Sequence, residues 1–185
     1  PYIQGYVNNR LPFMLAQRLD SQILVGDGSA PNLRGFLNVA GISTQAKGAD
    51  PVMDAIHKAM TKVAVTADAV PDAVVLHPND WQDLVLTRTV DGLYILGNPG
   101  DVGPMFLWGL PVRKTVGVVA GGTAGTALVG AFGSMAMVVT NGGLSVEIST
   151  EHSTYFTERK AAIAMSRRFS VAGFRPAAFA KVTGL

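Results

Sequence analysis

The sequence contains no cysteine. That absence removes disulfide bridges, thiolate metal sites and any mechanism needing a cysteine nucleophile, while leaving the redox compartment open. Charge is scarce as well, at 15% of residues, below the ~25% usual for soluble domains. The 15 Lys+Arg and 13 Asp+Glu leave a net charge of only +2, too little for a dedicated nucleic-acid surface or a polybasic membrane patch. Long hydrophobic runs are missing, because Asp, Lys, Arg or turn residues interrupt every apolar stretch before the ~20 residues of a membrane-spanning helix; no membrane partner is expected. His57, His77 and His152 are scattered, without the i, i+4 pair or the His-Glu spacing of zinc hydrolases, so no metal or other cofactor is expected. Pro1 stands where an initiator methionine would and opens onto a helical pattern instead of a signal-peptide layout, which reads as a truncated or processed chain.

What is present is apolar surface. At 185 residues the chain can bury a real core, as one domain or one domain with an inserted lobe. Its 48% apolar content beside so little charge implies a surface with partners. Ile3, Val7, Leu11, Met14, Leu15 and Leu19 share one face of a helix predicted to end near Asp20, with Pro12 expected to kink or split it. Gly26-Asp27-Gly28 is turn chemistry, and a lobe boundary is expected near Asn38. Asp50-Pro51 predicts an N-cap with proline at the first helical position, followed by a buried stripe of Val52, Ile56, Ala59, Met60 and Val63. Ala73 to Leu76 predicts a strand, and His77-Pro78-Asn79-Asp80 the start of a third helix carrying Trp81, Leu84 and Val85 inward. Leu107 to Val116 and Thr126 to Phe132 read as strands around a glycine-rich loop, Met135 to Thr140 as a further apolar run, and Asn141-Gly142-Gly143 as a turn. Alternation at Leu144, Val146 and Ile148, and at Ile163, Met165, Arg167, Phe169 and Val171, predicts two long strands.

Motifs that could carry chemistry have plainer readings. Gly121-Gly122-Thr123-Ala124-Gly125-Thr126 lacks the P-loop lysine and leads into a strand, so a hairpin loop is the better reading. Asp27 between two glycines lacks the further carboxylates of a calcium loop. His77 and Asp80 share one turn, but no nucleophile elbow accompanies them, and helix-start capping accounts for both. Trp81, Trp108, Phe106 and Phe132 lie within apolar patterns, which suits core packing better than base stacking. Arg167-Arg168 would project to opposite faces of a strand.

Several stretches, in order, resemble the major capsid proteins of tailed bacteriophages, whose fold is named after phage Hong Kong 97. They are Pro1-Tyr2-Ile3-Gln4-Gly5-Tyr6-Val7 through Gly26-Asp27-Gly28, then Arg34-Gly35-Phe36-Leu37-Asn38, and His77-Pro78-Asn79-Asp80-Trp81. Leu107-Trp108-Gly109-Leu110-Pro111-Val112, Leu128-Val129-Gly130-Ala131-Phe132 and Val146-Glu147-Ile148-Ser149 follow, and Phe174-Arg175-Pro176-Ala177-Ala178-Phe179 closes the series before Lys181-Val182.

The resemblance implies an α+β fold in which an axial lobe, residues 38–145 plus 171–185, is inserted into a peripheral lobe, residues 1–37 plus 146–170. The family's N-terminal arm, extended loop and spine helix would precede Pro1. It implies a non-enzymatic shell subunit whose partners are copies of itself, in pentamers and hexamers of the full-length protein. Packaged DNA would be enclosed non-specifically, in a virion produced in the bacterial host cytoplasm. Glu151, Glu158, Arg159 and Lys160, on a tip between the long strands, are the candidate intersubunit contacts, charges expected to have few partners within their own lobe. Some family members crosslink a lysine to a neighbour's asparagine with help from a glutamate. Arg159 and Ser166 occupy the asparagine and glutamate positions here, so no such crosslink is expected. The alternatives are an encapsulin-type nanocompartment shell protein, which shares the fold, and, more distantly, a small ligand-binding enzyme.

Overall fold

The computed structural model describes residues 2–96, 105–118, 125–151 and 153–185. The glycine-rich stretch expected to be a hairpin loop lies largely outside these residues, as do Pro1 and His152. In chain order the elements are α1 (Tyr2–Val25), β1 (Ser43–Ala46), α2 (Val52–Ala67), β2 (Ala73–Leu76), α3 (Pro78–Val85), β3 (Phe106–Leu107), β4 (Leu110–Lys114), β5 (Thr126–Gly130), α4 (Phe132–Met135), β6 (Ala136–Ser149), α5 (Tyr155–Glu158), β7 (Ala162–Gly173) and β8 (Phe179–Thr183). The chain forms two compact units, Pro1–Asp20 with Val138–Ser170 and Ser21–Met137 with Val171–Leu185.

The larger unit is built on a six-stranded sheet in the order β1-β8-β5-β2-β4-β3. β1 runs parallel to β8 and β2 parallel to β4, while β5 is antiparallel to both β8 and β2. β5 is central and buried from Ala127 to Gly130, which is why it reads as a continuous apolar run and not an alternating one. α2 packs on β1, β5 and β8. Its inward ridge, Ala55, Ala59, Val63 and Ala67, is wholly buried, and the small side chains at four-residue spacing let the helix lie close to the sheet.

Phe36, Phe132 and Phe179 form the aromatic end of this core, with ring centroids 4.8 to 6.3 Å apart. Two glycines make room for it. A Cβ on Gly130 would stand 2.3 Å from the Phe179 ring, and one on Gly173 3.0 Å from the Phe36 ring. Arg175 donates to the carbonyl of Ala67, the last residue of α2, at 2.6 Å, placing a cation at the negative end of that helix. Asp72 accepts from the amides of Phe132 and Gly133 at 2.8 and 2.5 Å, capping the one-turn α4 from a distant part of the chain.

Several expectations are corrected. α1 continues through Pro12 without being split and ends at Val25, five residues past Asp20; proline's fixed φ is itself helical, so the helix forfeits a hydrogen bond without breaking. Met14 faces solvent, off the half-buried line of Val7, Leu11, Leu15 and Leu19. Pro51 is the N-cap residue of α2, not its first helical residue, and Asp50 is paired with Lys58 instead of capping. The run from Leu107 is not one strand but a tight hairpin, because Trp108 and Gly109 take φ of +52° and +80°, the left-handed pair of a two-residue turn. Phe132 begins α4 instead of ending a strand. Asn141-Gly142-Gly143 is no turn either; β6 runs through it, with Gly142 at φ +76°. β1, Ser-Thr-Gln-Ala, carries no apolar strand pattern in its sequence.

The smaller unit holds most of α1 and the greater part of the two-stranded β6-β7 sheet. Ser145 Oγ lies 2.7 Å from Ser166 Oγ across the two strands, as expected of facing positions in a hairpin. Leu144, Val146 and Ile148 remain exposed, since a two-stranded ribbon has too little surface to cover its own side chains.

Candidate functional site

The segment joining β6 to β7 carries the four charged residues singled out from the sequence. Thr154 organises it: its carbonyl accepts from the Glu158 amide at 3.0 Å and from Thr157 Oγ1 at 2.8 Å, and its own hydroxyl donates to Glu158 Oε1 at 2.9 Å. The single turn of α5 stops at Arg159, which is left-handed at φ +53°, an uncommon place for a residue with a Cβ. The Lys160 amide then returns to the Tyr155 carbonyl at 2.9 Å.

This geometry brings Glu158 and Lys160 together at 2.5 Å. Of the tip charges, expected to have few partners in their own lobe, these two are paired within it, because the left-handed Arg159 folds residue 160 back beside residue 158. The Lys160 ammonium, and after it the Thr154 hydroxyl, hold the Glu158 carboxyl below the usual glutamate range. Arg159 and Glu151 make no ion pair among the described residues, and both are exposed. Sequence reading passed over Phe156, which α5 presents to solvent at 81% exposure. Its only sequence signal is an aromatic amid polar residues in a segment too short to bury it.

Elsewhere the candidate chemistry is absorbed by structure. His77 Nδ1 accepts from the Asn79 amide at 3.2 Å, capping α3, and Asp80 accepts from the Gly125 amide at 3.0 Å. Asp27 closes its turn by accepting from the Ser29 amide. Trp81 and Phe132 pack against the core as expected. Phe106 and Trp108 do not, each being about half exposed. Trp108 lies at the hairpin turn, donates to the Met53 carbonyl at 3.0 Å and meets the His57 ring edge-on. Among the described residues no cluster of acidic or histidine side chains suited to a metal occurs, and no helix is long and apolar enough to cross a membrane.

What remains among the described residues is a fold with apolar and charged projections, and comparison with known proteins gives that arrangement a family. The model of the phage capsid family matches residues 1–184. This chain belongs to the phage capsid family. The major capsid protein of Enterobacteria phage HK97 is 34% identical over 186 aligned residues, covering 99% of this chain and 47% of that protein; the chain thus spans about half the length of the curated relative it matches. Among solved structures, that of Gordonia phage Cozz superimposes with a TM-score of 0.76 at 17% identity, covering 98% of this chain and 63% of that one. The encapsulin of the holo-SrpI complex from Synechococcus elongatus gives 0.64 at 16% identity, covering 97% and 65%. The fold is the Hong Kong 97-like α+β capsid fold, and the family motifs acquire physical roles in it. Gly-Asp-Gly ends α1, His-Pro caps α3, Gly130 admits Phe179, and Arg175 caps α2.

Proposed function

We propose that this chain is the shell-building part of a phage major capsid protein, acting by packing against copies of itself and not by catalysis. The observation that carries this reading is its 34% identity, along 99% of its length, to a major capsid protein. In this reading residues 38–145 with 171–185 are the axial lobe, which holds the six-stranded sheet, and residues 1–37 with 146–170 the peripheral lobe, which carries the tip between β6 and β7. Copies form pentamers and hexamers, each contact modest and the shell stable through their number. The genome is enclosed non-specifically, as a net charge of +2 suits, in a virion assembled within the bacterial host.

The tip residues Glu151, Glu158, Arg159 and Lys160 make contacts between capsomers. Their charges sum to zero, so copies can meet there without net repulsion, and Arg159 and Glu151 are the two available for pairing between chains. No isopeptide bond forms: Arg159 offers no carboxamide, and Ser166, engaged with Ser145, offers no carboxyl group to move a proton. The complete chain, examined by sedimentation and negative-stain microscopy, is expected to give icosahedral shells or capsomers that run as monomers on a denaturing gel. A complete chain that never associates overturns the reading, and a covalent ladder overturns the absence of crosslinks. The encapsulin likeness supports a second reading, a protein-storing compartment. Native particles containing protein cargo instead of DNA would establish it.

A further inference from the structure

The segment after α3 folds into a small hairpin that contributes little to the core. The Thr89 amide donates to Leu93 O at 2.8 Å, Gly92 N to Thr89 O at 2.9 Å, Leu93 N to Thr89 Oγ1 at 3.3 Å and Ile95 N to Thr87 O at 3.2 Å. Arg88 and Tyr94 clasp its base, the guanidinium bonding the phenol oxygen at 2.5 Å and lying 4.4 Å from the ring centroid. Gly92 takes φ +83°, the left-handed position that closes such a turn. On this bonded frame the apolar side chains point outward: Val90 is fully exposed and Leu93 66% exposed. Between them Asp91 is exposed and makes no ion pair among the described residues.

A groove of about 540 Å³ lies on the same unit, walled by Pro51, Val52, Met53, Leu84 and Ile95. Lys47 and Asp83 also line it. Asp50, the remaining charge there, is held by Lys58 at 2.5 Å, which leaves Lys47 as the groove cation with no ion pair among the described residues. We propose that the Val90–Leu93 hairpin tip of one copy of this chain seats in this groove of the next copy, Asp91 meeting Lys47.

Three observations select a second copy as the occupant. The tip is already ordered, so burying Val90 and Leu93 costs little further conformational freedom. Tip and groove complement each other in kind, apolar against apolar and Asp91 with Arg88 against Lys47 with Asp83, whereas two tips meeting would set Asp91 against Asp91. The groove adjoins the hairpin base, where Thr87 and Ile95 line it, but the tip itself is not part of its lining, so the contact is head-to-tail and closes into a ring when the rotation allows. This inference rests on the capsid-subunit reading and adds to it a named contact within the capsomer.

The test is a charge exchange in the complete chain, read as the fraction sedimenting as capsomers or shells. Asp91→Lys alone and Lys47→Asp alone should each lower that fraction roughly tenfold, and the double variant should restore it to within about twofold of the unaltered chain. Should either single variant fail to fold, Val90→Ser with Leu93→Ser, both at the solvent-facing tip, should give the same loss with an unchanged melting curve. Single variants that assemble normally, a double variant no better than the worse single one, or a serine pair without effect would overturn this contact while leaving the subunit reading in place. An unaltered complete chain that never associates would overturn both.

Discussion

At Gly130 a single missing Cβ decides whether the core closes. Alanine there would place its methyl 2.3 Å from the Phe179 ring, and the ring is held by Phe36 and Phe132. Gly130→Ala should therefore destabilise the fold by about 1–3 kcal/mol through overpacking, read as a lower urea midpoint with an unchanged slope. An unaltered midpoint would mean that the aromatic cluster is loose. Glu158 makes a different kind of residue-level prediction. Lys160 and then Thr154 lower its pKa, so whatever the contact contributes is present above the unfolded glutamate value and is lost as pH falls through the lower folded one. The carboxyl carbon of Glu158, followed by NMR, should titrate below the ordinary glutamate range and move back toward it in Lys160→Ala. A midpoint indifferent to Lys160 would remove the ion pair.

Elements differ in how openly the sequence declares them. α2 is legible because its inward face repeats at helical spacing, and β2 and the start of α3 are legible because a short apolar run meets His-Pro. The β3-β4 turn is not, since its first residue is Trp108, a bulky side chain where left-handed turns usually carry asparagine or glycine. Trp108 is held there by its bond to the Met53 carbonyl and its contact with His57, partners 55 and 51 positions away that no local pattern reveals. The continuity of β6 through Asn141-Gly142-Gly143 was hidden for a similar reason: turn chemistry is local, whereas the ladder that overrides it is formed with β7. β1 is polar, and only its pairing with β8 makes it a strand. The tip charges could be found from sequence, but not the Glu158–Lys160 pairing, which depends on the backbone sign at Arg159. Gly109 isolates the cost of such turns. It has φ +80° and open space around its Cβ position, so Gly109→Ala should cost about 1 kcal/mol by conformational strain alone. A loss much larger than that in thermal melting would point to crowding that the structure does not contain.

For the whole molecule, the proposed tip contact implies that assembly and stability can be separated. Glu151, Glu158, Arg159 and Lys160 are exposed, so changing them should leave the isolated chain's unfolding within about 0.5 kcal/mol of the original. Exchanging Glu158→Lys with Arg159→Glu keeps the net charge of the tip unchanged, while moving each sign by one position and removing the exposed Glu158 contacts with Lys160 and Thr154. Long-range repulsion between copies is then the same in both proteins, and a change in shell yield reports the local pairing of tips. We expect the exchanged protein to melt normally and to give fewer closed shells. The contribution of the tip in the unaltered protein should itself weaken with added salt, because exposed charges are screened over about 8 Å at physiological ionic strength. An exchanged protein with the original shell yield would eliminate the charged tip as an assembly contact. Because Phe156 is 81% exposed on the same turn, Phe156→Ser would then decide whether the tip engages its neighbours through apolar contact instead. Fewer shells at every salt concentration would assign the contact to the aromatic, and no loss would leave the tip outside the interfaces that hold the shell.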